Sequence, residues 1–143
     1  MNITKFCENG ELLPILLASG MNPHIKDEYD YTYLHIVEDL ETAKFLVESG
    51  LDVNVSAFNK ITPLYSLLTN HNSPNIEILK YFIEKGADVN KRFIYDLTPL
   101  IISSKSDENT GVVEALLKAG ANVDDVDFNG GFQGYSKFKL YGF

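Results

Sequence analysis

Several features that would point to particular classes of protein are scarce in this sequence of 143 residues. It has one cysteine and no tryptophan, and only 12 basic residues stand against 20 acidic ones. The single thiol, Cys7, cannot form an internal disulfide, so stability must come from packing. No run approaches the roughly 18 uninterrupted apolar residues of a membrane span. The length and the 45% hydrophobic content indicate one globular domain with a real core.

The shortage of basic residues also restricts the partners. A net charge of -8 opposes binding to phosphate backbones and favours a partner with a basic surface. We therefore expect another protein as the partner, no nucleic acid and no membrane. The segment from Met1 to Glu8 lacks the apolar run and cleavage site of a secretory signal. This predicts a cytoplasmic protein.

Catalytic and metal-binding patterns are missing as well. The three histidines, His24, His35 and His71, do not have the spacing of zinc ligands. We find no glycine-rich phosphate loop, no nucleophile with a matched base and no paired carboxylates in an apolar setting. Cys7 is expected to be a structural thiol. The sequence therefore predicts no catalytic residue, no metal, no cofactor and no enzymatic activity.

Two motifs recur along the chain. The glycine motif occurs at 49–54 (SGLDVN), 85–90 (KGADVN) and 119–124 (AGANVD), with a weaker copy at 19–22 (SGMN). The threonine motif occurs at 32–35 (TYLH), 62–65 (TPLY) and 98–101 (TPLI). Each threonine follows its glycine by 12 residues, whereas the next glycine follows after 18, 24 and 22. All the variation in length therefore falls in one half of the repeat.

These motifs resemble those of ankyrin repeats, units of about 33 residues that open with a TPLH-like turn and contain two helices. The resemblance implies an all-α repeat solenoid of about four stacked helix-turn-helix repeats with projecting β-hairpin fingers. We expect this domain over residues 1–131, with approximate repeats at 1–24, 25–54, 55–90 and 91–124 and a partial finger at 125–131. Residues 132–143 form a tail that caps the stack or binds the partner.

The apolar spacing agrees with that architecture. Apolar residues with helical spacing occur at 42–49, 76–85 and 112–119, and a glycine follows each of these segments. Gly86 suits the left-handed conformation that ends many helices. Each threonine can cap the next helix, with Pro63 and Pro99 in its first turn. We expect the length variation in the loop between the two helices. In the shortened first repeat Pro14 belongs to the first turn of the second helix. The expected buried face of this repeat is Ile3, Phe6, Leu12, Leu13, Ile15, Leu16 and Leu17.

The fingers carry the candidate binding residues. One aromatic side chain falls near each finger tip, and the candidate partner-binding residues are Tyr29, Phe58, Lys60, Arg92, Tyr95 and Phe128. Exposed aromatics can anchor a partner, or they can stack together and stiffen the fingers. The finger charges can steer a partner or can simply be solvated. They are acidic at Asp27, Glu28, Asp30, Asp124, Asp125 and Asp127 and basic at Lys60, Lys91 and Arg92.

Two further positions have specific expectations. The resemblance implies that His35 ties neighbouring turns by a structural hydrogen bond, and Tyr65 and Ile101 replace this histidine in the next two repeats. The finger position usually held by glycine is Asp30, Lys60 and Asp96 here. Lysine tolerates a left-handed backbone poorly. Lys60 is therefore either strained or part of a different turn.

The function implied by the resemblance is noncatalytic binding of another protein, as a monomer or in a heteromeric complex. The length and acidity are similar to those of bacterial ankyrin proteins that act as immunity proteins or antitoxins and block a basic toxin. Two alternatives stay open. One is a viral or bacterial effector that binds a host protein, and the other is a regulatory subunit of an enzyme complex.

Overall fold

The computed structural model describes residues 12–69 and 74–124, which form two layers of short helices. Within these residues no strand is present, and the fingers are tight turns closed by backbone hydrogen bonds such as that from Ala57 N–H to the carbonyl of Ile61 over 2.8 Å. The all-α repeat architecture is confirmed. The helices are α1 (Leu12–Ala18), α2 (Leu40–Glu48), α3 (Pro63–Thr69), α4 (Ile76–Glu84), α5 (Pro99–Ser103) and α6 (Thr110–Lys118), with 3-10 turns at Tyr33–His35, Phe58–Lys60, Ile94–Asp96 and Asp107–Asn109.

The two layers follow from which helices contact one another. Helices α2, α4 and α6 pack in that order and form one layer. The turn Tyr33–His35, α3 and α5 pack in the same order and form the other. Apolar side chains fill the space between the layers, which is the continuous core of a stacked-repeat protein. The fully buried apolar side chains include Tyr33, Leu34, Leu46, Leu64, Ile78, Leu79, Phe82, Leu100 and Leu116.

Among the second helices, α4 begins at the predicted residue, Ile76, whereas α2 and α6 begin two residues before their predicted stripes. In α4 the side chains of Ile78, Leu79 and Phe82 are buried. The side chain of Asn75 caps this helix by accepting hydrogen bonds from the backbone of Glu77 and Ile78 over 3.0 and 3.3 Å. After α4 the backbone of Gly86 has a φ of +92°, where a side chain would be strained.

The first helices of the third and fourth repeats also confirm their predicted starts. Helices α3 and α5 begin at Pro63 and Pro99. The hydroxyl of Thr62 accepts from the backbone of Tyr65 over 3.3 Å, and Thr98 makes the equivalent bond over 3.4 Å. Proline at the first helical position removes an N–H that would lack a helical partner. The TPL motif is thus explained by capping alone.

In the second repeat the first helix is reduced to the single turn Tyr33–His35. We expected the length variation in the loop between helices, and this expectation is wrong here. The interval from Thr32 to Gly50 is six residues shorter than the next one, and the helix itself is lost. The core is nevertheless filled, because Tyr33 and Leu34 are 0% and 1% exposed.

The first repeat keeps α1, with Pro14 in its first turn as predicted. Leu13 and Leu17 are buried, but Ile15 is 63% exposed, which corrects the expected buried face. Residues four apart share a helix face, and a residue two positions on points away from it. The expectations for Ile3, Phe6, Cys7, the side chain of Leu12, His71, the partial finger at 125–131 and the tail at 132–143 lie outside the described residues.

Candidate partner-binding surface

The finger tips are sharp turns with unusual backbone conformations. Asn59 and Lys60 have φ of 59° and 63°, and Tyr95 and Asp96 have φ of 60° and 56°. Two consecutive residues with positive φ define a type I′ turn. In the first finger Asp30 alone has a positive φ, of 64°. The second and third fingers therefore share a turn that the first lacks.

Left-handed conformations at these tips store strain. Lys60 adopts the left-handed conformation that glycine usually takes at this position. Of the two expectations for Lys60, a strained lysine and a different turn, the structure therefore supports the strained lysine. Tyr95 was not expected to be left-handed, because the glycine-like position lies one residue later. A bulky side chain with positive φ costs on the order of 1 kcal/mol or more. Asparagine, as at Asn59, is among the residues best suited to this region.

The three described finger aromatics are all exposed, but they are not equivalent. Tyr29, Phe58 and Tyr95 are 51%, 62% and 72% exposed. Tyr29 and Tyr95 each lie nine residues after the preceding repeat glycine, whereas Phe58 lies eight after its own. The rings of Tyr29 and Phe58 are tilted by 58° with centroids 6.4 Å apart, and the backbone N–H of Phe58 donates to Tyr29 over 2.9 Å. Phe128 lies outside the described residues.

The basic candidates lie on the second and third fingers. Lys60 and Tyr95, with Asn59, Phe93 and Asp96, line an open groove of about 500 Å³ between these two fingers. Arg92 is exposed on the third finger. The structure thus brings Lys60 and Tyr95 to one groove and pairs Tyr29 with Phe58.

Asp27 is not a surface charge. It is buried, and its Oδ1 accepts hydrogen bonds from the backbone of Tyr29 and Tyr31, each over 2.9 Å. Its Oδ2 has no hydrogen-bond partner among the described residues. The expected steering role therefore does not apply to Asp27, because its carboxylate shapes the finger from inside. The exposed Asp30 pairs instead with Lys26 over 3.7 Å.

His35 makes the expected structural tie. Its Nδ1 lies 3.0 Å from the backbone nitrogen of Thr32 and accepts that N–H. The proton of the neutral ring therefore sits on Nε2, which donates to the carbonyl of Ile61 over 3.1 Å. Burial lowers the pKa of His35 and favours this neutral form. These bonds leave no ring nitrogen for acid–base chemistry.

The next repeat is tied differently. Tyr65 stands where His35 stands one repeat earlier, and its ring contacts that of Phe93 edge-on with centroids 4.7 Å apart. An aromatic contact thus replaces a hydrogen bond at this joint. The finger that would meet Ile101 lies outside the described residues.

Comparison with protein families gives one match. Residues 38–127 match the model for ankyrin repeats, in three copies. The chain belongs to the ankyrin repeat family. Ankyrin repeats are generally protein–protein interaction modules, and the family is typically noncatalytic. No curated protein matches the sequence.

This ankyrin protein contains a cleft that the sequence did not reveal. It lies beside the shortened turn of the second repeat and has a volume of about 440 Å³. Tyr31, Glu38, Tyr65 and Ser66 are among the residues that line it. The signal that could have located it is the short interval from Thr32 to Gly50, since a missing helix leaves its neighbour uncovered.

Two features are absent from the described part of this ankyrin chain. Among residues 12–69 and 74–124, no group of three or more His, Cys, Asp or Glu side chains could hold a metal ion. No helix in the same ranges is long and apolar enough to cross a membrane.

Proposed function

We propose that this ankyrin protein is a noncatalytic module that binds a protein with a basic surface through its fingers and first helices, and thereby blocks or recruits it. The observation that carries this proposal is Tyr95, whose side chain is 72% exposed on a left-handed backbone. The fold gains little from an exposed ring at a strained position. Strain of this kind and exposed aromatics both concentrate at binding surfaces.

Charge supports a basic partner. The net charge of -8 attracts a positively charged surface and speeds its encounter with the module. Near Tyr95, Asp96 contributes an exposed acidic group, while Lys60 and Arg92 add exposed basic groups to the same two fingers. This mixture selects the orientation in which the partner docks.

Among noncatalytic binding modules, we propose that this protein is an immunity protein or antitoxin that binds a basic toxin and blocks its activity. The support for this choice is the acidic charge alone. An effector that binds a host protein and a regulatory subunit of an enzyme would use the same surface, so the identity of the captured protein distinguishes them.

The test is capture of the partner by matched variants. Tagged wild type, the double variant Phe58→Ala/Tyr95→Ala and the control Phe45→Ala are mixed with lysate from the source cells, and retained proteins are identified. Phe45 is a suitable control because it is 47% exposed and lies on α2, away from the fingers. We expect a basic protein to be retained by wild type and control and lost by the double variant.

Two results would contradict the proposal. Equal retention of the same protein by all three forms would show that the finger aromatics do not bind it. Loss with Phe45→Ala but not with the double variant would place binding on the opposite layer. If the retained protein is a toxin domain, the antitoxin form is supported, whereas a host signalling protein or a catalytic subunit overturns that form.

A further inference from the structure

The cleft beside the shortened second repeat has a defined origin. A full first helix in this repeat would pack beside α3, in the layer that α3 and α5 form, as α5 does on the other side of α3. In its place one 3-10 turn packs against α3, and a cleft of about 440 Å³ lies beside the two elements. The cleft thus lies in the repeat whose interval from threonine to glycine is six residues shorter than the next one.

The walls of this cleft have a consistent chemistry. Tyr31 and Tyr65 supply two half-exposed aromatic side chains, and the half-buried Ile61 supplies apolar surface. Glu38 is exposed and supplies a carboxylate. None of the described residues that line the cleft is Lys or Arg.

The charges around the cleft favour a cation. The buried carboxylate of Asp27 acts on Tyr31, whose pKa is raised first by burial and then by this charge. Oδ2 of Asp27 has no hydrogen-bond partner among the described residues. Burial lowers the pKa of His35 and favours its neutral form, and the nearby cation Lys26 pairs with Asp30 over 3.7 Å.

We propose that this cleft receives an arginine side chain of the partner protein. Its guanidinium would lie against the rings of Tyr31 and Tyr65 and pair with Glu38, while its aliphatic stem contacts Ile61. Arginine suits this site better than lysine because its planar group stacks on aromatic faces and is more weakly hydrated. The inference deepens the proposed function, since it names a contact that a basic partner would make.

The test uses a peptide probe and the full chain. Acetyl-Gly-Arg-Gly-amide is titrated into labelled protein while backbone amide signals are followed by NMR. Two matched probes replace arginine by citrulline, which is neutral and of similar shape, or by lysine. We expect shift changes confined to residues 31–38 and 61–69, none with citrulline and weaker ones with lysine.

Two variants localise the binding. Glu38→Gln removes the carboxylate of the cleft, and Glu77→Gln removes an exposed carboxylate from α4 as the control. We expect affinity for the arginine probe to fall about fivefold in Glu38→Gln, the size of a good exposed ion pair, and to stay unchanged in Glu77→Gln. Unchanged signals outside the cleft verify that each variant is folded.

Several outcomes would overturn the inference. These are no shift changes, changes spread over the acidic surface, equal binding of citrulline, or equal losses in the two variants. Equal binding of lysine would overturn the choice of arginine. If the probe fails but Phe58→Ala/Tyr95→Ala still loses the partner, the proposed function stands without the cleft. If the probe binds the cleft but Phe58→Ala/Tyr95→Ala keeps the partner, the cleft stands as an arginine site and binding through the finger aromatics is contradicted.

Discussion

The side-chain nitrogen of Asn54 donates to the carbonyl of Gly86 over 2.9 Å, and its oxygen accepts from the backbone of Asp88 over 2.8 Å. One amide thus satisfies two backbone groups that lie 32 and 34 residues further along the chain. Asn90 makes the same pair of bonds to Gly120 and Asn122. The asparagine that ends the glycine motif, Asn54 in one copy and Asn90 in the next, therefore joins the second repeat to the third and the third to the fourth.

Removal of this joint lowers stability by a predictable amount. We expect Asn54→Ala to reduce the free energy of unfolding by about 1 kcal/mol, since two partly solvated hydrogen bonds are lost. Asn54→Asp keeps the acceptor and loses the donor, so it tests whether both bonds contribute. Urea denaturation measures all three forms. A loss in the aspartate variant without one in the alanine variant would contradict the role of the hydrogen bonds.

The first joint lacks this device and can be given it. His24 lies four residues after Gly20, as Asn54 does after Gly50, and its ring lies 3.6 Å from where a Cβ on Gly50 would be. We expect His24→Asn to raise the free energy of unfolding by about 0.5–1 kcal/mol by adding the missing bonds. His24→Ala is the control and should not stabilise. A gain shared by both variants would show that loss of the imidazole, and not the new amide, is responsible.

Much of this fold could be predicted from sequence because its signals are local. The stripes of α2, α4 and α6, the glycines that end them and the Thr-Pro starts of α3 and α5 each lie within a few residues of one another. The loss of the first helix in the second repeat could not be predicted in the same way. The interval from Thr32 to Gly50 showed that this repeat is shorter. Whether the loop or the helix is shortened depends on packing in the folded stack.

Relief of backbone strain at Tyr95 provides another test. We expect Tyr95→Gly to raise the free energy of unfolding by about 1 kcal/mol, because glycine adopts a φ of 60° without steric cost. Tyr29→Gly is the matched control at the equivalent finger position, where φ is not positive. It should not stabilise. Equal changes in the two variants by thermal denaturation would show that the conformation of Tyr95 carries no strain.

Titration of His35 makes stability depend on pH in a defined direction. Burial lowers the pKa of His35 in the folded state below its ordinary value of 6.5. The unfolded chain therefore binds the proton first as pH falls, so stability conferred by the neutral ring is lost from near pH 6.5 downward. We expect the urea concentration at the unfolding midpoint to decrease as pH is lowered from 7 to 5.5. In His35→Gln this decrease should be smaller. Parallel slopes would assign the dependence to other groups.

The candidate site was predictable only in part. Regular spacing placed Tyr29, Phe58 and Tyr95 on fingers, and the structure finds all three exposed. Burial of Asp27 was not predicted, because a carboxylate in a polar segment normally faces water. The cleft was missed for a similar reason, since its walls come from a turn, a finger and α3, which meet only in the folded stack.

Binding of the partner by the finger aromatics is tested most directly by measuring the affinity of the captured partner for wild type, Phe58→Ala/Tyr95→Ala and Phe45→Ala. The melting temperature of each form is measured as well. For Phe58→Ala/Tyr95→Ala we predict affinity at least about 30-fold weaker by calorimetry, the loss expected of a hot spot. The melting temperature should stay close to that of wild type, and Phe45→Ala should match wild type in both quantities. Unchanged affinity in the double variant, or a loss of affinity that tracks a loss of melting temperature, would contradict binding by the finger aromatics and would assign them a stiffening role.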